Sequence, residues 1–226
     1  MKKYKYLILT VLLAVSSLSL KAQTKTGWTS LFDGKTLKGW KQATGKATYE
    51  VKNGEIVGTT VANSPNSFLV TEKEYGDFEL EFEWKLGKRG NSGCGLRFPD
   101  YGDPAFDGME LQMVDPRSYP PEMTVPPNEL TGGLYRVVPP SAQALKPEAW
   151  NKYRVKMVGP KVNVELNGQK VLDLSLTNYT EKVKRHNDDD AEPLKSRPTK
   201  GRIGFQELSR DGGHVEIRNV RIRVLD

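Results

Sequence analysis

The chain has 226 residues, with 34 Lys and Arg, 28 Asp and Glu, two His and one Cys. The formal net charge of +6 would suit a nucleic-acid partner, but four of the basic residues lie in the first 22 positions, which leaves 30 basic against 28 acidic side chains. The single cysteine, Cys94, excludes an intramolecular disulfide, and two histidines are too few for a His-rich metal site. We therefore expect no nucleic-acid partner and no cofactor.

The first 22 residues have the pattern of a signal peptide. Lys2, Lys3 and Lys5 form a positive start, and residues 7–20 are an apolar run too short to span a bilayer comfortably. Leu20-Lys21-Ala22 reads as the cleavage site, and no later segment is apolar enough for a membrane span. This predicts an exported protein, periplasmic or extracellular after cleavage near Ala22, with residues 23–226 forming a single domain.

Strand patterns dominate the remaining chain. A first hairpin is predicted at residues 49–58, with its turn at Asn53-Gly54, and a half-buried strand follows at residues 78–86. Its alternating Glu79, Glu81 and Glu83 have the pattern of an ordinary solvated face. Asn91-Ser92-Gly93 reads as a tight turn. Two strands around Arg97 and around Glu110 come next.

The second half continues in the same way. Alternating apolar residues predict a strand at 153–157, and Asn167-Gly168 between apolar runs is the strongest hairpin signal of the chain. The buried positions change parity between Ile217 and Val220, so we expect a β-bulge at Arg218-Asn219. Residues 99–107, 115–147 and 178–200 form long connections. Many short strands with few helix signals predict an all-β, antiparallel two-sheet sandwich.

Side-chain parity places a group of polar residues on one face of this sandwich. Met109, Leu111 and Met113 should face the core, so Glu110 and Gln112 point away from it. The same reasoning turns Arg97 and Gln206 outward. If these strands are neighbours, Arg97, Glu110, Gln112 and Gln206 line one trough, with the planar donors and acceptors that sugar hydroxyls need.

A series of segments also resembles a known family. The segments are GWTSLFDGKTLKGW (27–40), YEVKNGEIVG (49–58), YGDFELEFEW (75–84), GNSGCGLR (90–97), GMELQMVD (108–115), TGGLYRVVPP (131–140), EAWNKYRV (148–155), GRIGFQ (201–206) and VEIRNVRIR (215–223). Together they resemble the 3-keto-disaccharide hydrolase family over essentially all of residues 23–226. The resemblance implies a jelly roll of the concanavalin A-like lectin/glucanase type with a concave ligand-binding sheet.

The resemblance also implies a function in carbohydrate breakdown. Family members are associated with glycosides already oxidised to a ketone at C3, and some cleave by elimination and rehydration. The implied partners are an oligosaccharide or glycoside substrate and a separate sugar 3-oxidoreductase. Many relatives carry a His shortly after the strand that matches residues 201–206. Here that stretch is Glu207-Leu208-Ser209-Arg210-Asp211, and the nearest histidine is His214.

On such a substrate, the expected chemistry starts at C2, because the C3 ketone acidifies the C2 proton. Glu110 would remove this proton as general base, and Arg97 would stabilise the enolate. His214 is a candidate proton donor. Substrate-binding candidates are Gln112, Gln206, Asn91, Asp107, Asp115 and Tyr135. A conventional two-carboxylate route would need a partner for Glu110 from Asp107, Asp115 or Glu207.

Other interpretations stay open. Arg97 and Glu110 can be a cross-strand ion pair, and Tyr135 can stack on a sugar or simply pack. Residues 188–190 offer oxygen ligands for Ca²⁺, although a solvated loop is the simpler reading. The same fold would serve a non-catalytic carbohydrate-binding module or an adhesive surface domain, because fold alone does not determine function.

Overall fold

The computed structural model describes residues 27–99, 101–209 and 213–225, so the predicted signal peptide lies outside the described residues. The chain forms two antiparallel sheets packed face to face, which confirms the predicted sandwich. One sheet has eight strands and the other has five. No helix within the described ranges is long and apolar enough to cross a membrane.

The strands have the following bounds. Those of the eight-stranded sheet are β1 (Thr29–Ser30), β3 (Thr48–Lys52), β4 (Glu55–Thr59), β6 (Phe78–Leu86), β9 (Asn151–Val158), β10 (Lys161–Leu166), β11 (Gln169–Ser175) and β15 (His214–Val224). Those of the five-stranded sheet are β2 (Trp40–Thr44), β5 (Ser67–Thr71), β7 (Asn91–Phe98), β8 (Met109–Val114) and β14 (Arg202–Glu207). The eight-stranded sheet has the order β11-β10-β9-β6-β15-β4-β3, with β1 also pairing β15, and the five-stranded sheet has the order β2-β5-β14-β7-β8. A separate two-stranded ribbon is formed by β12 (Val183–Lys184) and β13 (Asp190–Ala191), and one helical turn, α1, spans Pro104–Asp107.

Aromatic side chains join the two sheets. The rings of Phe82 and Phe205, from opposite sheets, lie with centroids 5.1 Å apart, and Trp40 stacks on Phe205 at 5.4 Å. The buried Tyr153 hydroxyl crosses the sandwich to donate a 2.8 Å hydrogen bond to the Gln112 carbonyl. The inward residues Met109, Leu111 and Met113 belong to this same core, as their parity predicts.

Two predicted hairpins and the predicted bulge are confirmed. Asn53-Gly54 and Asn167-Gly168 connect β3 to β4 and β10 to β11, with positive φ at all four residues. The register between β15 and β6 shifts between Arg218 and Arg221, and φ is 54° at Asn219. The extra residue lets β15 keep its apolar side chains buried on both sides of the parity change.

The predicted tight turn at Asn91-Ser92-Gly93 is wrong. The chain turns earlier, where the Gly90 amide donates to the Gly87 carbonyl at 2.9 Å and Arg89 has a φ of 60°. Asn91 already begins β7. Gly93, from the predicted turn, and Gly95 instead leave the middle of one face of β7 without side chains.

Three connections form a third layer over the outer face of the five-stranded sheet. We call this layer the roof; it comprises α1, the strip of residues 132–136 and the ribbon β12–β13. Ala105, Phe106 and Ala191 form its small apolar core, with Tyr135 and Val183 against it. The strip is hydrogen bonded to the edge strand β8, because the Tyr135 amide donates to the Glu110 carbonyl at 2.9 Å.

Candidate active site

A narrow pocket, with about 20 Å³ open to a water-sized molecule, lies between the roof and the five-stranded sheet. The sheet and the chain next to it contribute Asn66, Asn91, Glu110, Gln112, Gln206 and Leu208, and the roof contributes Ala105, Tyr135 and His186. The predicted trough is therefore confirmed for Glu110, Gln112 and Gln206. Asn91 and Tyr135, which the sequence analysis named as substrate-binding candidates, also line the pocket.

Glycines in β7 make room for the carboxyl group of Glu110. Gly95 lies opposite Glu110 in the pairing of β7 with β8, and Gly93 lies opposite Gln112. A methyl group on Gly93 would stand 2.1 Å from Glu110 Oε1 and 2.6 Å from its Cγ. The Glu110 side chain therefore occupies the space that a side chain at position 93 would need.

Glu110 is a buried carboxyl group without a partner. It is only 3% exposed, and within the described residues no side chain or backbone group forms a hydrogen bond or ion pair with its carboxyl oxygens. Burial, and to a smaller extent the charge of Asp103, raises the pKa of Glu110 well above its usual value. The protonated form is therefore favoured in the pocket, as expected for a proton donor.

Three amide side chains surround this carboxyl group. In the described residues, the side chains of Asn91 and Gln206 form no hydrogen bonds, and Gln112 uses only its Oε1 atom, 3.1 Å from the Met113 amide. Unpaired amides on a buried sheet face need polar partners. The hydroxyl groups of a sugar would supply them, each acting as donor and acceptor.

The roof contributes His186 and Tyr135. The His186 ring packs edge-on against Phe106, with centroids 5.4 Å apart, and lies 6.0 Å from the Tyr135 ring. Burial, with the positive charge of Arg136, lowers the pKa of His186 below its usual value. His186 is therefore neutral near pH 7, so one ring nitrogen can accept a proton.

Arg136 places a positive charge next to the pocket. Its guanidinium carbon lies 5.7 Å from the centroid of the Tyr135 ring, and its Nε atom donates to Glu129 Oε1 at 3.0 Å. Burial raises the pKa of Tyr135 to about 12, so its hydroxyl keeps its proton and remains a hydrogen-bond donor. Tyr135 and Arg136 together can face a developing oxyanion.

An ion pair holds the roof segments together. Arg185 donates two hydrogen bonds to Asp107, at 3.0 and 2.5 Å, and so links the ribbon to the end of α1. Arg197 donates to the carbonyls of Ala105 and Gly108 at 2.8 and 2.9 Å. Because His186 directly follows Arg185, the pair with Asp107 fixes the segment that carries the histidine.

Arg97 does not share the pocket with Glu110, so its predicted placement is wrong. The β7 strand has an irregular register against β14, and φ is 49° at Arg97, which turns its side chain off the predicted face. The buried guanidinium donates to the carbonyls of Gly76 and Gly159 and to Asp77 Oδ1, at 2.8 to 3.0 Å. Arg97 therefore ties β7 to the ends of β6 and β9, and Phe98 takes the outer face beside Phe68 and Val70.

His214 also lies elsewhere. It begins β15 in the eight-stranded sheet, where it pairs with Thr59, and its Nε2 atom is 3.0 Å from Glu216 Oε1. Parity alone could not tell which sheet the strand would join. His214 therefore belongs to the opposite sheet from the candidate pocket.

The other predicted carboxylates have structural partners. Asp115 accepts hydrogen bonds from the Arg89 and Arg117 amides and pairs with the Arg117 guanidinium at 2.6 Å. Asp107 pairs with Arg185 just outside the pocket lining. Glu207 accepts from the Ser209 amide at 2.7 Å, and burial raises its pKa to about 7. None of the three lines the pocket of Glu110 within the described residues.

The acidic loop at residues 188–190 shows no metal-binding arrangement. Asp189 accepts from Asn187 at 2.7 Å, and Asp190 pairs with Lys184 at 2.7 Å. No group of three or more potential metal ligands is found in residues 27–99, 101–209 and 213–225.

A larger concavity, about 420 Å³, opens on the outer face of the eight-stranded sheet. Its walls include Glu81, which is already paired with Lys152 and Arg221 at 3.0 and 2.6 Å. A carboxylate neutralised by two cations is a poor acid or base. The smaller pocket, with its unpartnered carboxyl group, is therefore the better candidate for chemistry.

Comparison with known proteins places the chain in a family. Residues 27–223 match the model of the 3-keto-alpha-glucoside-1,2-lyase-like domain. The chain belongs to this family. A relative from Bacteroides thetaiotaomicron, named 3-keto-disaccharide hydrolase, is 27% identical over 88% of this chain and 79% of its own length. The resemblance read from the sequence segments is thus confirmed.

Solved structures support the same grouping. A candidate glycosyl hydrolase from Parabacteroides distasonis is 29% identical, with a TM-score of 0.72 over 88% of this chain and 94% of its own. A Bacillus subtilis protein with a galectin-like fold aligns at 12% identity, with a TM-score of 0.52 over 81% of this chain and 88% of its own. The second likeness shows the lectin-like fold alone.

The sequence analysis missed His186 and Arg136. His186 lies in the long connection 178–200, where no periodicity predicts which face of the protein a side chain meets. Arg136 directly follows Tyr135, a predicted substrate-binding candidate, in the segment TGGLYRVVPP. This adjacency is the sequence signal that could have identified Arg136. Loop packing, which is set by contacts between distant segments, brings His186 into the pocket lining and Arg136 next to it.

Proposed function

We propose that this protein is an exported enzyme that cleaves the glycosidic bond of 3-keto glycosides, including 3-keto-disaccharides, by elimination followed by hydration. The observation that carries the proposal is the Glu110 carboxyl group, which is buried without a partner in a pocket that His186 and three amide side chains also line. The substrate class follows from family membership and from the name of the Bacteroides relative.

The proposed reaction has two stages. A base removes the C2 proton, which the C3 ketone makes acidic, and an enolate forms. The enolate electrons then form the C1–C2 double bond as the C1–O bond breaks, and an acid protonates the leaving oxygen. Water next adds across the double bond, with its oxygen at C1 and a proton at C2. The net result is hydrolysis.

Glu110 and His186, two of the titratable groups that line the pocket, suit opposite roles. Burial raises the pKa of Glu110 and so favours its protonated form, and we assign it to protonate the departing oxygen. His186 is neutral at rest, so we assign it to accept the C2 proton. This reverses the sequence-based assignment of Glu110 as the base, because the desolvation of a carboxyl group favours its neutral form.

The remaining lining residues would bind and orient the sugar. Gln112, Gln206 and Asn91 provide amides for its hydroxyl groups. Tyr135, polarised by Arg136, would donate a hydrogen bond to the enolate oxygen. Arg136 thereby takes the role that the sequence analysis gave to Arg97.

The proposed setting is outside the cytoplasm. The N-terminal pattern of residues 1–22 supports export, and a separate sugar 3-oxidoreductase would supply the ketone. The test of export is the N-terminal sequence of the protein recovered from the periplasm or medium of its native host. An intact Met1 on cell-associated protein would contradict it.

Two variants separate the proposed roles. Glu110→Gln and His186→Gln are compared on matched 3-keto glucosides with a methyl or a 4-nitrophenyl leaving group, in H₂O and in D₂O. Without its acid, Glu110→Gln should lose about 10²- to 10⁴-fold in rate on the methyl glycoside and much less on the nitrophenyl glycoside. It should still exchange the C2 hydrogen for deuterium, whereas His186→Gln should lose exchange and cleavage on both.

The control variant is His214→Gln, which changes a histidine on the other sheet. Exchange that persists in His186→Gln but vanishes in Glu110→Gln would reverse the assignment of acid and base. Binding of the 3-keto glucosides without any turnover by the wild-type protein would instead support a carbohydrate-binding module.

A further inference from the structure

The outer face of the eight-stranded sheet carries an ordered array of charges. Three glutamates of β6 each lie between a cation of β9 and a cation of β15, as cross-strand Cα partners. The three rows are Lys156–Glu79–Arg223, Arg154–Glu81–Arg221 and Lys152–Glu83–Arg218. We call the six cations of these rows the basic face.

The cations cover the carboxylates. Glu79 and Glu81 are buried, with side chains 5% and 8% exposed, although alternation alone predicted a solvated face for them. Lys152, Arg154 and Lys156 are about half exposed. Two of the rows end at a further carboxylate, Glu165 beside Arg154 and Glu55 at 3.7 Å from Arg218. The face therefore keeps a small positive excess, centred on Lys156 and Arg223.

The excess charge survives the ion pairs. Glu79 is 2.6 Å from Arg223, and Glu81 is 2.6 Å from Arg221. The β9 cations make longer contacts with the same glutamates, between 3.0 and 3.6 Å. Arg221 and Arg223 already balance these carboxylates, and Arg154 also faces Glu165 of β10. The charges of Lys152 and Lys156 therefore remain the most available to an outside anion.

A groove beside the basic face has the lining of a saccharide site. It is the 420 Å³ concavity at the β15 bulge, and Lys152 and Arg221 belong to both features. Trp28 forms one wall, and Ser30 and Asn219 supply neutral polar groups. Strand side chains on one face repeat about every 7 Å along the strand, a spacing suited to a chain of regularly placed anions.

We propose that the basic face and this groove bind an acidic polysaccharide, made of uronate or sulfated sugars, at a site separate from the pocket under the roof. The cations attract the repeated anionic groups, while the groove receives a sugar ring beside Trp28. The mixed lining of indole, hydroxyl and amide favours a polysaccharide over a lipid surface or a nucleic acid.

The test variant is Lys152→Gln/Arg154→Gln/Lys156→Gln. It removes the β9 row and leaves one arginine for each β6 glutamate, so the closest ion pairs are kept. The matched control is Lys35→Gln/Lys195→Gln/Lys200→Gln, which removes the same charge from exposed lysines elsewhere. Should the test variant fold poorly by thermal melting, Lys156→Gln alone provides a milder version.

Binding is measured by affinity electrophoresis and calorimetry with polygalacturonate and chondroitin sulfate. Neutral dextran, phosphatidylglycerol vesicles and single-stranded DNA are the comparison probes. The wild-type protein should bind at least one acidic glycan in a salt-sensitive manner, and the test variant should bind about tenfold more weakly. The control variant should match the wild type, and Trp28→Ala should weaken binding at unchanged net charge.

Equal binding by the test and control variants would overturn the proposal. So would dextran, vesicles or DNA bound as tightly as the acidic glycans, or no binding to either glycan. Turnover of a small 3-keto glycoside should be the same in the test variant and the wild type, because the pocket lies on the other sheet. This readout keeps the proposal independent of the proposed function.

Discussion

Gly93→Ala tests whether the position of the Glu110 carboxyl group determines activity. The new methyl group would stand 2.1 Å from Oε1 and 2.6 Å from Cδ and Cγ of Glu110. Non-bonded contacts settle near 3.5 Å, so the carboxyl group must move by about 1.4 Å. Gly93 has no positive φ, so the substitution adds no backbone strain. The perturbation is therefore a displacement of one functional group.

A displacement of about 1 Å in an active site can lower the rate about 100-fold, equivalent to about 2.7 kcal/mol of transition-state stabilisation. We expect this loss in kcat/KM on a 3-keto glucoside with a poor leaving group. Overpacking should reduce the free energy of unfolding by about 1–3 kcal/mol, which lowers Tm by several degrees without unfolding the protein. Steady-state kinetics and thermal melting measure the two effects separately.

The matched control is Gly95→Ala, two residues along the same strand face. Its methyl group would make an ordinary contact, 3.4 Å from Pro104 Cβ. The three atoms nearest to this methyl group belong to Pro104, Gly204 and Phe98, and none of them to Glu110. Gly95→Ala should keep activity within about threefold of the wild type, because no catalytic group moves. A folded Gly93→Ala protein with wild-type kcat/KM would refute the role given to Glu110.

Three further predictions concern residues outside the pocket. Arg97→Met should lower the free energy of unfolding by about 3–5 kcal/mol, because it removes a buried guanidinium and leaves its three acceptors without their donor. The kcat of the folded protein should stay near the wild-type value. A large loss of kcat would mean that Arg97 takes part in the reaction. Glu207 binds its proton more tightly in the folded state, with a pKa of about 7, than in the unfolded state, near 4.5. Its contribution therefore weakens the fold as pH rises from 4.5 to 7, by about 3 kcal/mol in all. Denaturant titrations at pH 5 and pH 8 should show Glu207→Gln relatively more stable at pH 8, and parallel curves for the two proteins would refute this. His214→Gln should leave kcat/KM unchanged in steady-state assays, and a loss beyond about tenfold would restore His214 as a candidate.

Several features could be predicted from residue order because they depend on local periodicity. Alternation in β8 alone is enough to direct Glu110 and Gln112 away from the core, since a one-residue shift would turn both into the space between the sheets and turn Met109, Leu111 and Met113 out of it. The Asn-Gly turns and the β15 bulge are equally local, because each is set by the φ that a few residues adopt. The family resemblance could also be recognised from the sequence, because it is carried by short segments of consecutive residues.

The placement of Arg97, His214 and His186 depended on contacts between distant segments. An irregular register turned Arg97 away from Glu110, and sheet pairing put His214 on the opposite sheet. Loop packing, tied by Asp107 and Arg185, brought His186 over the pocket. By itself the sequence determined the class of fold and the side of the strand that carries the carboxyl group, since alternation is a property of one strand. Only the tertiary structure decided which groups meet that carboxyl group, because pairing and loop packing join residues far apart in the chain.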